Sequence, residues 1–295
     1  MKNTKPPLKI TNLYKNYGKD RGIENINIEL KVGEVFGFLG PNGAGKSTTI
    51  RTILNFIKPS KGNIQIFGFD SQKNSTSIKN NIGYLAGDIA LYQEMTGEQI
   101  FKYLTSLGKK TDWKYLKELV RRLDATINKP IKSLSKGNVQ KIGLIQAFMH
   151  KPDLIILDEP TSGLDPLIKQ VFYEIILELK KEGKTLFISS HDLTEVQKIC
   201  DRAGFIRQGK LISIESISQA NSINLRRLVI RFNNQPVAKD YESIKGISDI
   251  VAKDNQLELT VKGDIYPLIE VLAKTKPIDI ETQETTLEEL FMHYY

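Results

Sequence analysis

The chain has 295 residues, 40% of them hydrophobic and 26% charged, with a formal net charge of +8 and a single cysteine. That length gives one large or two ordinary domains, and the balance is that of a soluble globular protein rather than a fibrous, disordered or membrane-embedded one. A lone Cys200 excludes an internal disulfide and suits a reducing compartment, while basic residues scattered along the chain rather than striped argue against a nucleic-acid partner.

The N-terminal MKNTKPPLKI has a basic start but no apolar core, so no signal peptide is expected. No uncharged stretch approaches the roughly 18 residues of a spanning helix. Leu8 to Asn12 and Ile26 to Leu30 alternate apolar with polar, as half-buried antiparallel strands do. Between them Tyr14-Lys15-Asn16-Tyr17-Gly18 leaves two readings open for Tyr17: an aromatic ring that stacks on a base, or a core tyrosine. Val35 to Leu39 is a short apolar run predicted as a buried parallel strand.

It leads into Gly40-Pro41-Asn42-Gly43-Ala44-Gly45-Lys46-Ser47-Thr48, which fills G-x-x-x-x-G-K-[ST] at every position. This pattern describes a loop whose inward backbone N–H groups cradle a nucleotide's phosphates, with the Lys on the terminal phosphates and the Ser hydroxyl on Mg²⁺. Glycines recur because a loop wrapped closely round an anion uses backbone angles that side chains resist. Ser47 to Phe56 then reads as a helix whose N-terminus lies under the phosphates.

Further strands are predicted at Gly62 to Gly68 and Ile82 to Leu85, the second running into Ala86-Gly87-Asp88. From about residue 95 to 150 the pattern turns helical. Thr96 and Gln99 have capping-box spacing, Trp113 to Leu123 carries an apolar stripe, and Leu134-Ser135-Lys136-Gly137-Asn138 opens a helix to about Met149. Leu154 to Leu157 is an apolar strand ending in Asp158-Glu159, the acidic half of a phosphate-loop ATPase site. Asp165 is expected to cap the next helix, with Pro166 in its first turn. Thr185 to Ser190 is another buried strand with His191 at its C-terminal edge, and Asp192 with Glu195 is expected to cap a helix to Cys200.

From about residue 216 a polar, linker-like stretch precedes a small α+β domain. Its strands are expected at Leu225 to Phe232, Leu257 to Val261 and Ile278 to Ile280, and its helices at Tyr266 to Ala273 and Thr285 to Tyr294. It shows no site chemistry of its own.

Phosphoryl transfer asks for positioning and charge compensation more than covalent help. Lys46 and the loop amides suit the β- and γ-phosphates, and Ser47 with Asp158 suits Mg²⁺. Glu159 can act as general base toward an attacking water, and His191 can hydrogen-bond that water or Glu159. A histidine at a strand end is more often structural; here the other site elements favour the functional reading.

These residues resemble the ATP-binding cassette (ABC) ATPases. The resemblance rests on GPNGAGKST at Gly40 to Thr48, LSKGN at Leu134 to Asn138, LIILDEP at Leu154 to Pro160, SGLDP at Ser162 to Pro166, and His191, and covers residues 1 to about 215. It implies an α/β fold, a phosphate-loop cassette with a RecA-like parallel core, an antiparallel β subdomain and a helical insertion, followed by the C-terminal α+β domain. It implies ATP and Mg²⁺ as ligands, Tyr17 stacking on adenine, and head-to-tail dimerisation with a second cassette. In such a dimer Ser135 and Gly137 contact the γ-phosphate held by the partner, and Asp165 lies at the seam. The C-terminal region, ending in TTLEELFMHYY, is similar to that of ATPase subunits of drug, bacteriocin and bacitracin-type exporters. Integral-membrane permease subunits are then separate partners, and the chain is expected at the cytoplasmic face of the membrane. The other reading is a soluble ABC switch not coupled to transport; those usually have a long coiled-coil insertion or two cassettes per chain. A binding module without turnover fits poorly with both Glu159 and His191 in place.

Two departures from the family stand out. Gly87 occupies the place of a Gln that usually meets Mg²⁺, and Asp88, or less favourably Gln93, is the candidate substitute; Asp88 as a turn cap is the alternative. The signature reads LSKGN rather than LSGGQ, leaving Lys136 either as a phosphate contact or as a solvated surface lysine.

Overall fold

The computed structural model describes residues 5–18, 22–108, 111–217 and 225–284. It divides into two compact units, residues 1–216 and 217–295.

The first unit is built on one ten-stranded sheet. An antiparallel section comprises β1 (Leu8–Asn16), β2 (Gly22–Glu29), β4 (Lys61–Ile66) and β5 (Phe69–Asp70), and a central strand is β3 (Val35–Leu39). The remaining strands are β6 (Ile82–Leu85), β7 (Leu154–Asp158), β8 (Thr185–Ser190), β9 (Arg202–Arg207) and β10 (Lys210–Ser216). Their order is β5-β4-β1-β2-β10-β9-β3-β8-β7-β6, with β9, β3, β8, β7 and β6 all parallel. Strands β3, β7 and β8 are buried along their whole length. That is why they read as unbroken apolar runs: parallel strands covered on both faces have no polar side to present. Phe187 anchors the core, its ring 5.7 Å from Phe36 and 5.3 Å from Phe38.

Helices α1 (Lys46–Ile53), α2 (Ser75–Lys79), α3 (Gly97–Leu107), α4 (Trp113–Arg122), α5 (Lys136–Phe148), α6 (Pro166–Lys181) and α7 (Leu193–Ile199) fill the connections. Thr96 and Gln99 form the capping box expected of them, and Asp112 caps α4. Because β3, β8, β7 and β6 are adjacent and parallel, their C-terminal ends bring Gly40, His191, Glu159 and Gly87 to one edge of the sheet. This is the edge at which open α/β sheets bind ligands.

The second unit has a four-stranded antiparallel sheet of β11 (Leu225–Arg231), β12 (Ile247–Lys253), β13 (Gln256–Lys262) and β14 (Asp279–Glu284), ordered β12-β13-β11-β14. Two helices, α8 (Lys239–Glu242) and α9 (Tyr266–Thr275), complete it, and Leu228, Ile230, Tyr241, Leu259 and Leu268 form its core. Sequence patterning missed β12 because the strand is irregular. Asp249 has φ +52° and the register shifts between Ser248 and Val251, so its apolar residues do not keep a period of two. The expected helix at Thr285 to Tyr294 and most of the linker-like stretch lie outside the described residues.

Candidate active site

The loop after β3 is held in shape by its glycines and by two neighbouring segments. Gly43 and Gly45 sit at φ +80° and +112°, where L side chains are strained. A Cβ on Gly40 would stand 2.3 Å from the Ile206 carbonyl oxygen, so only glycine lets the loop leave β3 against β9. Gly40 N–H donates to the Ser190 carbonyl at 3.2 Å, and Gly209 N–H donates to the Ala44 carbonyl at 2.9 Å. Gly45 is the N-cap of α1 and brings no side-chain hydrogen bond. The N–H groups of the first turn therefore keep their donors for an anion, with the positive end of the helix dipole behind them.

The loop floors a cleft of about 950 Å³ lined by Tyr14, Tyr17, Asn42, Lys46, Ser47 and Thr48, with Glu159 and Lys210 on its walls. Tyr17 is 54% exposed and Lys15 Nζ lies 5.0 Å from its ring centroid. The core reading of Tyr17 therefore falls; the ring belongs to the cleft.

Lys46 is buried and donates to the carbonyls of Gly40 at 2.6 Å and Pro41 at 3.2 Å. Its Nζ also lies 3.0 Å from Glu159 Oε1. That contact is ionic rather than hydrogen-bonded: Oε1 is buried and has no hydrogen-bond partner among the described residues. The other carboxylate oxygen, Oε2, is 2.7 Å from His191 Nδ1. A carboxylate acceptor assigns the proton to Nδ1 and leaves Nε2 of a neutral ring as an acceptor.

Glu159 has φ +50°, a left-handed conformation that costs about 1–2 kcal/mol in an ordinary residue and persists only when the surroundings hold it. Its N–H is shared between the Ser189 carbonyl at 3.3 Å and Ser189 Oγ at 3.0 Å. Its carbonyl accepts from Gln140 Nε2 at 3.3 Å, and the same nitrogen reaches the Pro160 carbonyl at 2.8 Å. Asp158 is buried, with Oδ1 accepting from Ser189 Oγ at 2.5 Å. Its Oδ2 faces Gly87, where an added Cβ would stand 3.1 Å away. Burial first, then the Asp158 charge, pushes the Tyr84 phenol above its ordinary pKa.

The other sequence-derived candidates do not line the cleft. Ser135 caps α5 by accepting from Asn138 N–H at 3.2 Å. Gly137 packs so closely on the next segment that a Cβ would be 2.7 Å from the Gly163 carbonyl. Neither residue lines the cleft. Lys136 is exposed, and the Asn138 side-chain amide brackets Thr126, its Oδ1 accepting from Thr126 N–H at 2.8 Å and its Nδ2 donating to the Thr126 carbonyl at 2.7 Å. Asp165 caps α6 as expected, accepting from Ile168 N–H at 3.0 Å. Asp88 is exposed on the turn beyond Gly87, and Gln93 Nε2 donates to the Leu91 carbonyl at 3.2 Å.

One expectation is corrected. Asp192 caps α7 alone, accepting from Thr194 and Glu195 N–H. The Glu195 side chain instead turns inward and accepts from Thr161 Oγ1 at 2.5 Å, Lys169 Nζ at 3.0 Å and Ser190 Oγ at 3.1 Å. Sequence reasoning also missed Gln140 and Ser189. The only signal was a polar residue on the buried face of α5 and a serine ending a buried strand.

Residues 23–162 match the family model described as ABC transporter. The bacitracin transport ATP-binding protein BcrA of Bacillus licheniformis is 37% identical over 232 residues, covering 77% of this chain and 76% of that protein. The linearmycin resistance ATP-binding protein LnrL of Bacillus subtilis is 30% identical over 302 residues, 97% of each. Among solved structures, an ATP-binding subunit of an ABC transporter superposes with a TM-score of 0.67 at 28% identity, covering 73% of this chain and 92% of that one. The chain belongs to the ABC transporter family, as one of its ATP-binding ATPases.

Proposed function

We propose that this ATPase uses Glu159 as general base and powers export through separate integral-membrane permease subunits. The observation that carries the base assignment is the place of Glu159 at the end of β7, its Oε1 3.0 Å from Lys46 beside the phosphate loop and, among the described residues, accepting no directed hydrogen bond. An acceptor oxygen left in that position is suited to take a proton from water activated beside the phosphates. His191 keeps the opposite carboxylate oxygen engaged and so fixes which oxygen does the work. Lys46 and the loop amides take the β- and γ-phosphates, and Tyr17 provides a stacking face for adenine.

Mg²⁺, when bound, offsets phosphate charge. The donor set suits a hard cation: Ser47 lines the cleft, and the buried Asp158 carboxylate is pinned by Ser189 on one oxygen and leaves the other toward Gly87. Asp88 is proposed as an additional oxygen donor at the same edge.

Ser135 and Gly137 stand at a helix N-terminus outside their own chain's cleft, which supports their serving the γ-phosphate of a second cassette in a head-to-tail dimer, with Asp165 at the seam. Among the described residues no helix is long and apolar enough to cross a membrane. The proposed coupling to transport is through separate partner subunits, with this chain at the cytoplasmic face. The relatives' names, bacitracin transport and linearmycin resistance, favour export.

The test is affinity purification of the full chain from its native membranes in mild detergent. A stoichiometric multi-spanning membrane protein whose presence alters the ATPase rate is expected. Recovery of a fully active, purely soluble dimer with no such partner would favour the soluble switch instead.

A further inference from the structure

We infer that Gln140 is a positioning residue for the general base, and that it ties the signature helix to the hydrolytic centre of the same chain. The inference rests on the reading of Glu159 given above. Gln140 lies on α5, the helix opened by Ser135, and its side chain is 4% exposed. Its one amide nitrogen donates to two consecutive carbonyls, Glu159 at 3.3 Å and Pro160 at 2.8 Å. Those carbonyls flank the turn in which Glu159 adopts φ +50°. On the other side the Glu159 N–H is held by Ser189. The left-handed residue is thus gripped from both of its peptide groups, once by β8 and once by α5.

The arrangement matters because φ at residue 159 sets where its carboxylate points. Relaxing the turn swings Oε1 away from Lys46 and breaks the Oε2 contact with His191 without touching the phosphate loop. The side chain is also rigidly mounted: it projects from the buried face of a helix whose N-terminus is proposed to meet the partner's γ-phosphate. A small rotation of α5 on cassette closure is therefore transmitted to the base through one amide.

Gln140→Met keeps length and packing while removing the donor. It is expected to lower kcat about tenfold, the scale of one buried hydrogen bond lost, without weakening ATP binding or raising KM. Gln140→Glu is the second variant. Its carboxyl donates only while protonated, so its turnover relative to wild type should fall as pH rises, and this pH profile separates a donor role from a packing role. The deciding measurement is a double-mutant cycle with Glu159→Gln in single-turnover reactions. If Gln140 acts through Glu159, Gln140→Met costs nothing further in that background. An equal fall in both backgrounds, or a raised KM with kcat intact, overturns the inference. Wild-type turnover in Glu159→Gln alone would instead overturn the base assignment, and the two failures are distinct.

Discussion

Replacing Glu159 by Gln separates two jobs proposed for its carboxylate. The first is proton acceptance, and its loss is expected to lower turnover by about 10²–10⁴, the usual share of a general base. The second is visible only in the structure. Glu159 Oε1 lies 3.0 Å from the buried Nζ of Lys46, the side chain proposed to meet the terminal phosphates. At that distance and an effective dielectric near 20 the attraction is about 5–6 kcal/mol, and desolvation of two charges offsets most of it. A net of about 1.5–3 kcal/mol remains, the low end of the coupling found between close charge pairs. An incoming phosphate competes with Glu159 for Lys46 and is repelled by the carboxylate. Gln at this position keeps the shape and removes both penalties, so ATP should bind roughly ten- to a hundredfold more tightly. The variant should also accumulate as an ATP-bound dimer, because closure proceeds and reopening does not. Phosphate release and nucleotide titration on the same preparation measure the two effects separately. Turnover within a few-fold of wild type would place the base elsewhere. Unchanged affinity beside a collapsed kcat would refute the competition for Lys46 while leaving the base assignment standing.

Lys46→Ala removes charge from ground state and transition state alike, so affinity and dimerisation should both fall; an unchanged nucleotide titration would remove Lys46 from the phosphate site. Asp88→Ala separates metal donor from turn cap. A donor's loss raises the Mg²⁺ concentration needed for half-maximal turnover and is partly restored by excess Mg²⁺, whereas a cap's loss lowers thermal stability and leaves the Mg²⁺ titration where it was. Phe187→Ala should destabilise the first unit by about 3–5 kcal/mol in denaturant unfolding, since the ring is fully buried against Phe36 and Phe38; a loss below about 1 kcal/mol would contradict that packing.

How much of this was legible in the sequence follows from the range of each interaction. The phosphate loop, α1 and the buried strands were readable because glycine placement, helical spacing and unbroken apolar runs are local signals. Asp158, Glu159 and His191 were readable as strand-end residues, since parallel strands deliver their C-terminal ends to one edge. What holds them was not readable. Gln140 grips the carbonyl of Glu159 from 19 residues away, and Ser189 grips Asp158 from 31 residues away. Only the adjacency of β7 and β8 and the seat of α5 create those pairs. Glu195 illustrates the opposite error: its spacing from Asp192 satisfies a local capping rule, but three donors from elsewhere in the fold outbid the backbone for its carboxylate. β12 failed for a local reason, a bulge that breaks the alternation on which strand reading depends.

The departure at Gly87 has a physical consequence that the strand order makes plain. β6 lies beside β7, so the residues leaving β6 pass directly over the Asp158 carboxylate, and the bare backbone of Gly87 meets it. A side chain there would start 3.1 Å from Asp158 Oδ2 and 3.2 Å from its Cγ, tight enough that the carboxylate would have to shift. The Ser189 hydroxyl resists that shift by holding the other oxygen. Glycine and a pinned Asp158 are therefore mutually consistent, whereas an amide side chain at 87 would require a different seat for Asp158 or for the turn. The next residue along the chain with an oxygen-bearing side chain is Asp88, which is exposed. A carboxylate there differs from an amide in kind: it has no donor for a phosphate oxygen and adds a negative charge that only a cation offsets. If Asp88 serves the metal as proposed, coupling from this edge to the nucleotide is expected to run through Mg²⁺ rather than through a direct hydrogen bond to phosphate. ATP-driven dimerisation should then fall more steeply on Mg²⁺ depletion than in a Gly87→Gln variant, and an equal Mg²⁺ dependence of the two would refute this.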